Sequence, residues 1–403
     1  MTVTIIADDL TGACDAGALF AGRGPVGVFV VPELPDARWP AAAVDTESRA
    51  LPPAAAAERV RRAVVGLEAR LGGGRIFKKL DSTVRGPVAA ELDALLGASG
   101  ATTALVCPAF PAQGRTVRDG VLSVFGQPAH ESPTGRDPDY PGPTSDLVEI
   151  LSSPSGRPAS LLPLPASLLP LPVSLLPLKE VRGPIEDLAR ALAMRTGLVV
   201  ADAEVDQDLD ALALAAIDLP GVLLAGSAGL AGAAARAWGF AAPVPPAPAP
   251  GGWLVVAGSR HPATRAQVDA LEAAGAAGAR LDATGDPDLA EVVAALRAGT
   301  LAFLSTTAGL EGTAQDIAAR LASAVRTVLA EISPALLALT GGDTARAVMR
   351  ALAARRLELT GAPASGLALG RLVVDSMSTI PILTKAGGFG APDLFVALAR
   401  RPP

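Results

Sequence analysis

A chain of 403 residues suits two domains of ordinary size better than one. Half of the residues are apolar but only 3% are aromatic, so the cores have to be built mainly from Ala, Val and Leu. A net charge of −6 with no long basic run excludes a general nucleic-acid binder, which needs a basic face for the phosphate backbone.

The two cysteines, Cys14 and Cys107, form no CxxC pair, which argues against a disulfide framework and fits a reducing cytosol. Both read as small buried residues near strand ends. Asp8 and Asp9 stand where an export signal would need its apolar run, and no apolar stretch reaches the roughly 20 residues of a membrane span. A soluble, cytoplasmic protein with no membrane partner is the expectation.

In chain order, Val3–Ala7 is a strand candidate and Thr11–Ala21 a helix. Arg75–Lys79 and Ala104–Cys107 are further strands, with a helix near Val88–Leu96 between them. Leu198–Ala201, Val222–Ala225, Trp253–Ala257, Leu301–Ser305 and Ala335–Thr340 continue the pattern. Such alternation predicts an α/β fold: two three-layer domains with mainly parallel sheets and an active site in the cleft between them. Ala241–Gly252, AAPVPPAPAPGG, is a proline-rich spacer. It divides the chain into 1–240 and 253–403. Residues 159–179 repeat ASLLPLP, ASLLPLP, VSLLPLK. Their prolines exclude the helix that a seven-residue period would otherwise suggest. One original strand with extra copies inserted at the surface is the expected reading.

Polar motifs follow the strands, where open α/β sheets place ligands. Asp8 and Asp9 in ADDLTG stand at the start of the first helix, as candidate acceptors of substrate hydroxyls, beside helix N–H groups that favour an anion. In KKLDSTVRG (78–86), Lys78, Asp81, Ser82 and Arg85 combine both charge signs with hydroxyl donors. A carboxylate-bearing polyol asks for that mixture. In CPAFPAQGRTV (107–117), Arg115 is a second candidate anion anchor.

Beyond the spacer, TGGDTA (340–345) opens a helix at Arg346–Ala353. Its Gly341, Gly342, Asp343 and Thr344 suit a phosphate wrapped by backbone N–H groups, although no GK[ST] follows. Asp343 is also a candidate Mg²⁺ ligand or general base. TKAGGFG (384–390), with Gly387 and Gly388, and Ser259 in Gly258-Ser259-Arg260 complete three phosphate-friendly loops. His130 and His261 are too isolated from the cysteines for a metal site, and His261 reads as a loop histidine.

At these motifs the chain resembles the four-carbon acid sugar kinase family, also described as the domain-of-unknown-function 1537 group. ADDLTGACDAG (7–17), KKLDSTVRG, CPAFPAQGRTV, GSAGL (226–230), TGGDTARAV (340–348) and TKAGGFG occur in family order across nearly the whole chain. The resemblance implies an N-terminal domain that binds a sugar acid and a C-terminal domain that binds ATP. It also implies transfer of a phosphoryl group, with Mg²⁺, to the terminal hydroxyl of threonate, erythronate or an oxo-tetronate. By motif, Asp8, Asp9, Lys78, Asp81, Ser82, Arg85 and Arg115 fall on the acid side. Ser259, residues Gly341 to Thr344 and Gly387 fall on the nucleotide side. Residues 130–146 read HESPTGRDPDYPGPTSD where oxo-tetronate kinases carry an HPLTPMTD-like stretch, which favours threonate or erythronate. Asp343 is the first choice of catalytic base and Asp9 the second. A homodimer is the assembly to test. The rivals are a nucleotide-dependent dehydrogenase, disfavoured because no GxGxxG opens the first helix, and a sugar-acid sensor without catalysis, which would not need three glycine loops.

Overall fold

The apolar runs become strands because each is short, aliphatic and ended by Gly, Asp or Ser, residues that favour turns over ladders. The computed structural model describes residues 2–400 except 72, 138, 153–170, 246–247, 260, 284, 286, 308 and 375–377. The chain divides into two compact units, Met1–Arg23 with Val30–Ala241, and Gly24–Phe29 with Ala242–Pro403.

The first unit begins with β1 (Val3–Ala7) and α1 (Leu10–Leu19). After β2 (Val26–Val30) come β3 (Ala41–Asp45), α2 (Pro53–Leu71), β4 (Arg75–Lys79), α3 (Val88–Ser99) and β5 (Thr103–Cys107). A small antiparallel sheet follows, of β6 (Arg115–Arg118), β7 (Val121–Val124) and β8 (Gln127–Pro128). Then come α4 (Leu147–Ser152), β9 (Val173–Leu176), α5 (Leu178–Val181), α6 (Ile185–Ala193) and β10 (Gly197–Ala201). The unit closes with α7 (Asp206–Ala215), β11 (Val222–Gly226) and α8 (Ala228–Ala237).

Its main sheet runs β3-β1-β4-β11-β5-β10-β9, parallel throughout. Such strands are covered on both faces, so β1, β3 and β5 are buried along their whole length. The third repeat copy supplies β9, paired with β10 at the sheet edge; residues 159–170, which hold the first copy and most of the second, lie outside the described residues. Cys14 and Cys107 are both free and buried, and burial pushes the Cys107 thiol up to about 12.

The second unit contains β12 (Trp253–Ala257), α9 (Pro262–Ala273), β13 (Ala277–Leu281), α10 (Ala290–Arg297), β14 (Ala302–Thr306), α11 (Ala314–Glu331) and β15 (Leu336–Thr340). It continues with α12 (Gly342–Ala351), β16 (Arg356–Gly361), β17 (Leu367–Val373), β18 (Thr379–Lys385) and α13 (Leu394–Ala399). Strands β13-β14-β12-β15-β18 are parallel. The sheet then turns antiparallel through β17 and β16 to β2. Trp253, Val255, Phe303, Ala338 and Leu383 form one core with Val268 and Leu271 of α9 and Phe395 of α13.

Residues 24–29 correct the expectation that all of 1–240 forms one domain. Val26 pairs with Leu359 and Val28 with Leu357, so this early segment contributes the last strand of the second unit's sheet.

Candidate functional site

In the first unit, β1 lies between β3 and β4, and their register sets Ala7 level with Asp45 and with Lys79. The chain leaves β1 for one neighbour and later returns to the other. This is a topological switch point, and the loops leaving the three strands share one edge.

Asp9 is the N-cap of α1. Its backbone is extended (φ −145°, ψ 161°), and its Oδ1 accepts a hydrogen bond from Gly12 N at 2.9 Å. The Thr11 hydroxyl donates to Oδ2. Asp8 turns to Arg49, which follows β3. The guanidinium donates to Asp8 Oδ2 at 2.8 Å and Oδ1 at 2.9 Å, and to Asp9 Oδ1 at 2.7 Å. Two adjacent carboxylates, Asp8 buried and Asp9 partly so, are tolerated because one partly buried guanidinium joins them. Burial works against the Asp9 charge, but Arg49, Thr11 and Lys79 outweigh it and hold its carboxyl below the usual range. Burial likewise opposes the Arg49 charge, and Asp8, Asp9 and Asp81 override it to keep the guanidinium firmly protonated. Sequence reasoning missed Arg49, the residue that organises this corner.

The loop after β4 makes a second knot of charge. Asp81 accepts from Thr83 N at 3.1 Å, from the Thr83 hydroxyl, and from Arg85 Nε at 3.0 Å and Nη2 at 2.9 Å. Burial opposes ionisation of Asp81, but Arg85, Arg49 and Thr83 hold its carboxyl well below the usual range. Arg85 Nη1 donates to Asp137 at 2.9 Å, so a residue of the divergent 130–146 stretch enters the cluster. Ser82 is buried between Asp81 and Thr83.

Burial depresses the Arg115 guanidinium, with Asp81 pulling it back and Arg85 adding to the depression. Lys78 sits differently. It is fully buried and paired with Glu91 at 2.7 Å. Burial pushes the Glu91 carboxyl up, against the pull of Lys78.

In the second unit, Ala257, Thr340 and Lys385 are level across β12, β15 and β18, so their three glycine loops also share an edge. Gly341 is the N-cap of α12 at φ 88°, a left-handed conformation that favours glycine. Its N–H donates to Lys385 O at 3.0 Å. Gly387 lies against Ser259, whose Oγ is 2.3 Å from where a Cβ would stand. Gly388 similarly faces His261, which caps α9 by accepting from Ala263 N at 3.1 Å. Thr344 packs against Gly258. Ser259, Gly341, Gly342, Thr344, Gly387 and Gly388 are thus brought together.

Asp343, in the first turn of α12, is 55% exposed and lies 3.9 Å from Arg346. No cluster of three or more His, Cys, Asp or Glu able to hold a metal occurs among the described residues. The residue missed here is Lys385, buried at the root of the third loop.

Two family models match: a sugar-binding N-terminal domain over residues 3–234 and a nucleotide-binding C-terminal domain over 254–395. A D-threonate kinase from Bordetella bronchiseptica is 36% identical over 99% of this chain and 96% of its own. A D-erythronate kinase from Heliobacterium modesticaldum is 31% identical over 97% and 94%. A Salmonella typhimurium protein of known crystal structure matches 99% of both chains with a TM-score of 0.77 at 21% identity, a likeness of fold. No helix among the described residues is long and apolar enough to cross a membrane. With both halves of the chain matched in order and full-length relatives that are kinases, the chain belongs to the four-carbon acid sugar kinase family and is a phosphotransferase.

Proposed function

We propose that the chain transfers the γ-phosphoryl group of ATP to the terminal hydroxyl of D-threonate, with D-erythronate as the second choice of acceptor. The observation that carries this reading is the Asp8–Arg49–Asp9 bridge beside the Asp81–Arg85 pair. A four-carbon acid presents one carboxylate and several hydroxyls. Guanidinium groups of Arg49, Arg85 and Arg115 suit the first; carboxylates of Asp8, Asp9 and Asp81, with Ser82, suit the second. Lys78 enters as a support of the loop. The D-threonate kinase name of the Bordetella bronchiseptica relative sets the order of choice.

The donor nucleotide falls to the second unit, with phosphates seated on the Gly341 turn against the N–H groups of Gly342 to Thr344, against those of Gly387 and Gly388, and against the Ser259 hydroxyl. Asp343 fits Mg²⁺, an ion usually held by one or two carboxylates together with phosphate oxygens and water. When bound, the ion would neutralise charge on the transferred group. The chain's own task is positioning and proton removal. Asp343 is our choice of base, with the Mg²⁺ ligand as its alternative role, since a carboxylate committed to the ion does not take the proton; Asp9, held ionised by Arg49 and Thr11, is the weaker base and the better hydroxyl orienter. We place the reaction in the cytoplasm.

An ADP-release assay over both enantiomers of threonate and erythronate, with 3-oxo-tetronates, tests the reading. D-threonate should give the highest kcat/KM. ADP release stimulated by no acid, or oxidation of an acid with NAD, would overturn it.

A further inference from the structure

The carbonyls of the turn after β18 are gathered to one side. Lys385 Nζ donates to the carbonyl oxygens of Ala386 at 2.9 Å, Gly387 at 3.0 Å and Phe389 at 3.0 Å. Thr264 Oγ1 donates to Gly387 O at 2.9 Å. Gln267 Nε2 reaches the carbonyls of Phe389, Gly390 and Ala391 at 3.0, 3.2 and 3.1 Å. An ammonium carries three N–H bonds, and here each has a carbonyl. Lys385 is 1% exposed and pairs with no carboxylate among the described residues. A buried charge without a counter-ion is costly, and burial pushes this ammonium down to about 7. A residue placed at such cost in a loop root has a task there.

Peptide planarity indicates the task. In a trans peptide the carbonyl of one residue and the N–H of the next point in opposite directions. With the carbonyls of Ala386 and Gly387 drawn onto Lys385, the N–H groups of Gly387 and Gly388 must face away from it. The neighbouring amides are already used, Ala386 N on Gly366 O and Phe389 N on Ala386 O, each at 3.1 Å. The same lysine reaches the second glycine loop, since its own carbonyl accepts from Gly341 N at 3.0 Å.

We infer that Lys385, Thr264 and Gln267 form a carbonyl clamp that holds residues 386–391 with two successive amide N–H groups displayed to a phosphate, making these three the positioning residues of the donor site. The inference rests on the reading of this turn as part of the nucleotide site.

The test is steady-state kinetics with ATP and D-threonate varied separately, together with calorimetric titration of ATP. Lys385→Met keeps length and removes all three donors. The KM and Kd for ATP should rise about tenfold or more, as expected for lost charge-assisted hydrogen bonds. The KM for the acid should stay within about twofold, a split that general loss of packing would not produce. Thr264→Val should raise the ATP constants several-fold and Thr264→Ser should restore them. If Lys385→Met does not fold, the Thr264 pair decides alone. Wild-type ATP binding that both Lys385→Met and Thr264→Val leave unchanged overturns the clamp, as does a Thr264→Ser variant no better than Thr264→Val. Wild-type protein that binds no ATP overturns the nucleotide reading itself, and the clamp with it.

Discussion

The candidate acid site and the candidate nucleotide site use opposite materials. Around Asp8, Asp9 and Asp81 the geometry is carried by charged side chains that hold one another. Around Gly341 and Gly387 it is carried by backbone, with the buried Lys385 and the exposed Asp343 as its charged members. Acid sugars differ in the directions of their hydroxyls, which aimed side chains can distinguish. A phosphate chain is the same in every nucleoside triphosphate, so backbone amides suffice. On the proposed reading, stereochemistry would be read in the first unit, while the second would recognise charge and shape.

The sharpest way to break that contrast is Arg49→Ala. Removing one partner of a buried pair strands the others, so about 3–5 kcal/mol of stability should be lost, measured by denaturant unfolding, and acid binding with it. A variant as stable as wild type would show that Arg49 does not compensate Asp8 and Asp9. Next in size, Asp343→Asn should leave the fold intact and lower kcat by about a hundredfold, the scale of a lost proton acceptor; near-normal turnover would remove Asp343 from the mechanism.

A matched pair then sharpens the division of labour. Arg85→Ala should weaken D-threonate by about 2–3 kcal/mol and leave ATP unchanged. Gly387→Val should do the reverse by about 1–3 kcal/mol, because its side chain would meet Ser259. Separate calorimetric titrations decide, and crossed results would reverse the assignment of the units. The smallest effect should follow deletion of residues 159–172. Pro158 then precedes Val173 as Pro172 does now, and strand β9 keeps its residues. Unchanged activity and melting temperature are expected; an insoluble product would make the extra copies part of the fold.

Much of the fold was legible because its strands are uninterrupted aliphatic runs. Val3–Ala7, Arg75–Lys79 and Trp253–Ala257 stand with the limits their residues suggested. Arg49 was missed because its strand was missed. Ala41–Asp45 is rich in alanine, a weak strand former, and becomes a strand only through pairing with β1. The signal was nevertheless present, since a polar run, Asp45 to Arg49, follows an apolar one just as Asp8 and Asp9 do. Asp137 lies about fifty residues from Arg85 in an irregular stretch, and no local pattern could join them. Lys385 stood inside a recognised motif, but its role depends on where carbonyls point, which residue types do not encode.

The excursion of residues 24–29 bears on how the polypeptide is made. A ribosome releases β2 more than three hundred residues before its partner β16 exists, and this pairing is among the most remote along the chain. Remote pairings have a high loop-closure cost and form slowly. A fragment starting at the proline-rich spacer would lack β2 and leave β16 as a bare edge, open to pairing with other chains. Division of the gene at that spacer would therefore separate the two candidate ligand sites but not two independent folding units.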